Sequence, residues 1–460
     1  MTNVVLVFPR FKYPSGDIPY GLSIIASFLR EKLDVNVTIL DVTFNNSLEY
    51  VESFLKNKNP DVVGIYANTI AYYDTLKVAE IAKRFCSLLV VGGPHATILP
   101  ETLIKHKSVD VVAIGEGEFT LKDIVQRFQS GKSLNGINGI WHKEEDKIIK
   151  EKRRLPIQDL DVLPFPAWDL LDMKKYLKNW FYLDLISPNL KGVATNVSRG
   201  CPFNCSFCQP TLKKIFGEKI RFRSPKNVVE EIKTLKKIYN IDAFIFTDET
   251  PTAFRDWVEE FCNLLDKEKL NLFWVCSSRA NLIDRDLLKK MKNVGLRKVM
   301  IGAESASQRI LDDIYNKGIK VEDIKKSAKI AKDLGILVQL SFMIGAPTET
   351  REEINRTIKL ATSSDADEAV FSITTPLPKT HLYNRAKKLG FKLSEDYNDF
   401  DYYSKKSLLS NNLEWNELKK LQKKAFIYFY LNPKRLPFLL KNLTSLRGIN
   451  NLGLKIKRIT

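Results

Sequence analysis

Nowhere in these 460 residues does an apolar run approach the roughly 18 positions needed to cross a bilayer. An export signal is missing too. The opening MTNVVLVFPR has no basic n-region, no isolated apolar stretch and no small-residue cleavage site, and reads as a buried strand. The expectation is a cytoplasmic protein, at most peripheral to a membrane. Cysteine is scarce, six residues in all, and histidine scarcer, with four. In a reducing compartment these few cysteines do not build a disulfide framework, and clustered ones point to metal or chemistry. Internal repeats and low-complexity tracts are absent. With 44% apolar and 27% charged residues the composition excludes a disordered chain. The length exceeds what one core usually supports, so two or three domains are expected.

What the sequence does have is basic charge. The net excess is +18, and half of it lies in residues 413–460, where eleven Lys or Arg face two Glu. Such a patch suits nucleic acid, an anionic membrane or an acidic substrate, or is a solvated surface. The same tail interleaves Phe426, Tyr428, Phe429, Tyr430, Phe438 and Leu440 with Lys434, Arg435 and Lys441. Aromatics beside cations suit the headgroup boundary of a membrane. The equal alternative is that the aromatics close a core and the lysines are merely solvated. The tail reads as helices rather than an appended RNA-binding module, which argues against nucleic acid as a partner.

The first 145 residues alternate Val/Ile-rich runs (4–9, 37–42, 62–67, 88–93, 109–115) with amphipathic stretches such as 20–33 and 72–85. Continuous apolar strands spaced by helices predict a doubly wound parallel sheet, α/β and Rossmann-like, with its crevice at the carboxyl ends of the strands. Loops at those ends read FKYPSGDIPYG, ANTIAYY, GGPHAT and GEGEFT. Residues 146–190, rich in proline and charge, read as a linker. From 191 to 395 six further strand-like runs (192–200, 242–249, 273–281, 298–305, 338–347, 368–376) alternate with helical segments. They predict a partial (β/α)6 barrel whose functional residues gather at the carboxyl ends of its strands. Residues 396–460 form the helical, basic and aromatic region.

Half of all the cysteines, Cys201, Cys205 and Cys208, fall in one loop after the first barrel strand. A structural zinc ion usually takes four protein ligands and this cluster offers three. Cys262 and Cys276 lie in other segments, where packing accounts for them. Three thiolates suit a four-iron cluster with one iron left open.

CPFNCSFC resembles the signature of radical S-adenosylmethionine (SAM) enzymes, with Phe207 as the aromatic before the third cysteine. The resemblance spans about residues 192–376. It implies that Cys201, Cys205 and Cys208 hold a [4Fe-4S] cluster whose open iron chelates SAM. One electron from an external reductant then cleaves SAM to a 5′-deoxyadenosyl radical. Thr247-Asp248-Glu249 stands where the family has Gly-Gly-Glu, which accepts the SAM amino group, so Asp248 and Glu249 are both candidates. Glu304 and Ser305 match the ribose-contacting strand end, and Gly345 the strand passing the adenine. Arg279 is a candidate for the SAM carboxylate, with a structural ion pair as the equal alternative.

The front domain resembles the cobalamin-binding domain fused to one branch of this family. The candidate cobalamin contacts are Tyr13, Gly21, Asn68, Thr69, Gly92, Gly93, His95, Gly115, Glu116 and Gly117. The D-x-H-x-x-G motif is missing, since none of His95, His106, His142 and His381 has Asp two places before it. That implies cobalt without a histidine from this motif, or a domain that has lost cobalamin. The expected function is a radical SAM enzyme acting on an unactivated carbon of a hydrophobic lipid or isoprenoid. It would work by cobalamin-dependent methyl transfer or by carbon–carbon bond and ring formation. The alternatives are modification of tRNA, of a soluble metabolite or of a peptide. A non-catalytic carrier is a further class, against which the cysteine triad, Glu304 and Arg279 argue.

Overall fold

The computed structural model describes residues 1–12, 15–248, 250–401, 406–409 and 412–435. These form two compact units. One comprises Met1–Asn179 with Thr211–Phe222, the other Trp180–Pro210 with the described residues from Arg223 on.

The first unit is built on a seven-stranded sheet in the order β2-β1-β3-β4-β5-β6-β7. Its strands are β1 (Thr2–Phe8), β2 (Val35–Asp41), β3 (Val62–Tyr66), β4 (Leu88–Gly92), β5 (Val111–Ala113), β6 (Ile140–Glu144) and β7 (Lys147–Lys150). The first five pair in parallel. Both faces are covered, so the alternating side chains of one strand feed two cores. Val4 and Leu6 of β1 pack with Leu22, Ala26, Leu121 and Ile124. Val5 and Val7 pack with Val51, Leu55, Val78 and Ala82. This is why the runs are apolar throughout rather than alternating. The antiparallel hairpin β6–β7 extends the sheet, and it went unseen in the sequence because WHKEEDKIIK is charged. A charged, short edge strand is also how a sheet avoids pairing with other chains.

The second unit holds six strands in chain order, β8 (Gly192–Thr195), β9 (Ala243–Phe246), β10 (Phe273–Arg279), β11 (Leu296–Glu304), β12 (Leu337–Ile344) and β13 (Glu368–Ile373). All pair in parallel, the arrangement of a half-barrel. The helix Pro225–Tyr239 shows how local sequence sets the punctuation. Ser224 caps it through Asn227 N, Pro225 opens it, and Asn240 closes it in the left-handed conformation. At the amino ends of the strands Trp180 and Leu183 pack on Ala194, Ala243 and Val275. The buried Lys298–Glu368 ion pair lies beside them.

The helix Trp415–Tyr430 runs along the outer strand β13. Its Gln422 donates to Phe371 O at 2.9 Å and Tyr430 to Ala369 O at 3.1 Å. Phe426 and Phe429 pack edge-to-face on Phe371. Arg435, buried, donates to four carbonyls at Ala361, Thr362, Ser364 and Ala366. So Phe426, Phe429 and Arg435 are not membrane-facing, which corrects that part of the tail's reading. They finish the core and cap a helix. Ile427, Tyr428 and Leu431 are exposed. Phe438, Leu440 and Lys441 lie outside the described residues. No described helix is long and apolar enough to cross a membrane.

Candidate functional site

In the second unit the cysteine loop follows β8, and its backbone is stitched to the turn at 314–317. Ser206 N donates to Tyr315 O at 2.8 Å and its hydroxyl to Ile314 O at 2.6 Å. Asn316 donates to Asn204 O at 3.0 Å. Within the loop Gln209 Nε2 donates to Phe203 O at 3.0 Å, and Cys208 N and Gln209 N donate to Cys205 O. Cys205 is buried and Cys201 and Cys208 partly exposed, and none is in a disulfide. Cys86 and Cys262 are different. Burial pushes each of their thiols up to about 12, so they are inert packing residues.

Asp248 is buried just past β9 and holds the entry to this loop. Its carboxylate accepts from Val197 N at 2.8 Å, from the Ser198 hydroxyl at 2.7 Å and from Ser198 N at 2.5 Å. Burial raises its pKa to about 6, against the pull of those donors. With its oxygens occupied by Val197 and Ser198, Asp248 positions the loop that bears the cysteines. Glu249 lies outside the described residues.

Glu304 ends β11 beyond a register shift at Gly302, with φ of +59°. A non-glycine residue there is strained, and the bulge re-aims its side chain. Its Oε1 accepts from Lys317 Nζ at 2.7 Å, both groups buried. Burial opposes the charge on Lys317, yet Glu304 and Cys205 outweigh it and its pKa is raised. Lys317 also lies 5.6 Å from the centre of the Phe207 ring, which sits edge-on to Tyr315. Gly302 makes room for the pair, because a Cβ there would meet Glu304 Oε1 at 2.6 Å and Lys317 Nζ at 2.9 Å.

Sequence reasoning missed Lys317. Nothing in YNKG marks it, since the fold alone brings it from a turn to the strand end. Arg279, the last residue of β10, is buried and donates to Cys205 Sγ at 3.3 Å. It pairs with no carboxylate among the described residues, so the structural ion pair is not found. Ser305 spends its hydroxyl on Thr357 and Ser307 N, holding the turn after β11. Gly345, at φ of +79°, lies where a Cβ would strike Leu418 of the carboxyl-terminal helix.

Glu349 was also missed. It is fully buried and accepts from Gly345 N at 2.6 Å and Ala346 N at 3.0 Å. Burial, with the nearby Glu353, raises its pKa to about 8 against those two bonds. It shapes the Gly345 turn.

In the first unit, the strand order reverses between β1 and β3, the place where such sheets open a ligand crevice. A cavity of about 260 Å³ is there, lined by Phe8, Arg10, Phe11, Lys12, Tyr66, Asn68 and neighbours, with no histidine. Asn68 also accepts from Ala71 N at 2.8 Å, closing the turn ahead of the following helix.

His95 is buried and does not line this cavity. Thr102 donates to Leu99 O at 2.8 Å, so His95 Nε2–H donates to Thr102, and Nδ1 accepts from Thr69 at 3.1 Å. Burial lowers its pKa to about 4. His95 and Thr69 are thus a structural pair. Gly93 and Gly117 are packing glycines. A Cβ would meet Ala67 O at 2.8 Å in the first case and Ile25 Cδ1 at 2.8 Å in the second. Gly92 packs on Ala113 and a Cβ at Gly115 would meet Ile215 O at 3.8 Å, while Gly21 has no close neighbour.

Glu116 forms a buried ion pair with Arg221 at 2.9 Å and accepts from Ile157 N at 2.7 Å. It fastens Thr211–Phe222 to this unit. Tyr13 lies outside the described residues.

Comparison with known proteins bears on both units. Residues 195–361 match the model of the radical SAM superfamily, and residues 15–125 that of the B12 binding domain. An uncharacterized methyltransferase of Pyrococcus horikoshii is 37% identical over 422 residues, 90% of this chain and 88% of the relative. The anaerobic magnesium-protoporphyrin IX monomethyl ester cyclase of Rubrivivax gelatinosus is 32% identical over 417 residues, 87% of this chain and 72% of the relative. Among solved structures, the cobalamin-dependent S-adenosylmethionine radical enzyme OxsB has a TM-score of 0.76 at 16% identity, over 99% of this chain and 72% of that one. The fold, the cysteine loop and relatives matched over most of their length agree, and the chain belongs to the radical SAM enzymes that carry an amino-terminal B12-binding domain.

Proposed function

We propose that this chain uses a [4Fe-4S] cluster, SAM and cobalamin to functionalise an unactivated carbon of a hydrophobic small molecule, by methyl transfer or by ring formation. The observation that carries the reading is the cysteine loop, pinned to the 314–317 turn and facing two buried cations, Arg279 and Lys317. Among the described residues no three His, Cys, Asp or Glu are grouped as for a single metal ion. A four-iron cluster asks for something else, one thiolate on each of three irons, so its ligands stand apart. Cys205 beside the Arg279 guanidinium, in one loop with Cys201 and Cys208, fits that demand. In the first unit the crevice between β1 and β3 combines Arg10, Lys12 and Asn68 with Phe8, Phe11 and Tyr66, a lining suited to an amide-rich ring with a phosphate tail.

When bound, the cluster with SAM supplies a radical that abstracts hydrogen, and cobalamin supplies a methyl carrier. The residues of this chain do the positioning. Lys317 presents a buried cation for the SAM carboxylate, and Glu304 fixes its head. Asp248 orders the loop that bears the cysteines, leaving Glu249 for the SAM amino group. The strand end at Gly345 is closed by Ile373, Leu408, Leu413, Trp415 and Leu418 around a cavity of only about 10 Å³, so support for a hydrophobic substrate comes from the outer helix. Ile427, Tyr428 and Leu431, exposed on the outer helix, favour contact with a lipid surface.

Anaerobic reconstitution tests the site. The protein should hold about four irons per chain and cleave SAM on reduction, and Cys205→Ala should lose both. Full cleavage by that variant would sink the assignment. Comparing lipids and small molecules of a deletion strain with wild type identifies the substrate. Label from methyl-deuterated SAM appears in the product for methyl transfer and is absent for ring closure. Pelleting with anionic vesicles at low salt supports a lipid, and no pelleting favours a soluble metabolite or peptide.

A further inference from the structure

Arg279 is 5% exposed, at the end of β10. Nη1 donates to Cys205 Sγ at 3.3 Å. Nη2 donates to the carbonyl of Lys317 and, at 3.4 Å, to that of Gly318. The face of the guanidinium lies on Phe203, 3.8 Å from the ring centre, while Nε, also buried, has no hydrogen-bond partner. A buried cation without counter-charge is costly, and among the described residues no carboxylate compensates this one. Its neighbour Lys317 is neutralised by Glu304. Among the groups Arg279 touches, the sulfur of Cys205 alone can carry negative charge.

Both ends of the guanidinium are therefore taken. One holds the cysteine loop through Phe203 and Cys205, the other the turn at 317–318. With both Nη atoms engaged in this way, the fork cannot turn to present them as a pair to the carboxylate of SAM, and only the buried Nε is left without a partner. Its charge and its N–H are instead aimed at a sulfur that, when a cluster is bound, shares whatever electron the cluster takes up. Reduction adds negative charge to the cluster and its sulfurs. A fixed cation with a hydrogen bond to one of them stabilises the reduced form more than the oxidised one.

We propose that Arg279 is a positioning residue for the cluster: it pins Cys205 and raises the cluster's reduction potential, and it does not bind the SAM carboxylate. The proposal rests on the reading that Cys201, Cys205 and Cys208 hold an iron–sulfur cluster. The single electron involved comes from an external one-electron reductant, and no bond is made or broken at Arg279.

Redox titration of the reconstituted protein, followed by the low-temperature EPR signal of the reduced cluster, tests it. Arg279→Gln keeps an N–H donor and removes the charge. It should retain its irons and lower the reduced-to-oxidised ratio at a fixed potential about tenfold, a shift of about 59 mV for one electron. Arg279→Lys, which keeps the charge, should fall between that variant and wild type. SAM affinity of the oxidised protein should change less than threefold in both. An Arg279→Gln protein with full iron, an unmoved potential and a tenfold loss of SAM affinity overturns the proposal in favour of a carboxylate role. Should the variants fail to take up iron, wild type carrying guanidino-¹⁵N arginine decides. Pulsed EPR of its reduced cluster should show a weak ¹⁵N coupling, and a cluster without that coupling overturns the proposal alone. A wild-type protein that binds no cluster overturns the site reading and this proposal together.

Discussion

Glu304 holds a backbone conformation that costs roughly 1–3 kcal/mol for a non-glycine residue, and it does so with its carboxylate locked to Lys317. Strain of that kind persists where the surroundings dictate it, and here Gly302 is part of the dictation. Gly302→Ala should displace either Glu304 or Lys317. The expected outcome is a loss of SAM affinity of about tenfold or more by equilibrium dialysis, with iron content retained. Unchanged affinity would show that the pair does not serve SAM. His95 gives a second prediction at this scale, and its sign follows from linkage. Its folded pKa of about 4 lies below the ordinary 6.5. The unfolded chain then binds the extra proton between those values, and stability present above 6.5 is lost as pH falls toward 4. By about pH 5 the loss is about 2 kcal/mol. His95→Gln should remove that slope, seen as a smaller fall of the thermal midpoint between neutral pH and about pH 5. An identical fall in both proteins would mean that His95 is not buried as a neutral ring.

Elements show what the sequence made legible. Periodicity found all five parallel strands of the first sheet and all six of the second, because Val/Ile runs buried on both faces have no other comfortable state. The three cysteines announced themselves by spacing. Residues whose role depends on a distant partner did not. Lys317 reaches Glu304 from 13 residues away through a turn, and Asp248 reaches the backbone of Val197 and Ser198 from the end of the neighbouring strand. The carboxyl-terminal helix is the sharpest case. Its aromatics and cations fit a membrane surface as well as a core until Phe371 and the helix end at Ala361–Ser364 are placed beside them. That helix closes an open edge, since Gln422 and Tyr430 take the carbonyls of Phe371 and Ala369 that no further strand reaches. Gln422→Leu leaves the buried Phe371 carbonyl without that donor. It should cost about 1–3 kcal/mol in denaturant unfolding while iron content stays at wild-type level. A variant as stable as wild type would mean that the edge is sealed by packing alone.

At the scale of the whole molecule, each unit has its own hydrophobic core and its own set of strand ends, and each answers to a different cofactor. The first unit contains no histidine in its crevice, and His95 is committed on both ring nitrogens. A cobalamin held in this crevice would rest on the loops after β1 and β3, with both ring nitrogens of His95 committed elsewhere. Hydrogen exchange on the full-length protein separates this from the glycine loops that sequence alone nominated. Adding hydroxocobalamin should slow exchange in peptides covering residues 8–12 and 66–74, where the crevice lies. The amides of His95, Thr97 and Leu99, already bonded to Ala67, Gly93 and His95 carbonyls, should change little. SAM added to the reconstituted protein should instead slow exchange at 302–305 and 315–318 in the second unit. The visible spectrum gives an independent reading, since His95→Ala should leave the bound cobalamin absorption where it is in wild type. If hydroxocobalamin protected the 93–97 and 115–117 loops and left 66–74 unchanged, the crevice assignment would be wrong and the glycine loops would be the contact after all. Protection nowhere in the first unit, with activity indifferent to cobalamin, would leave that unit as a scaffold and tip the chemistry toward ring formation.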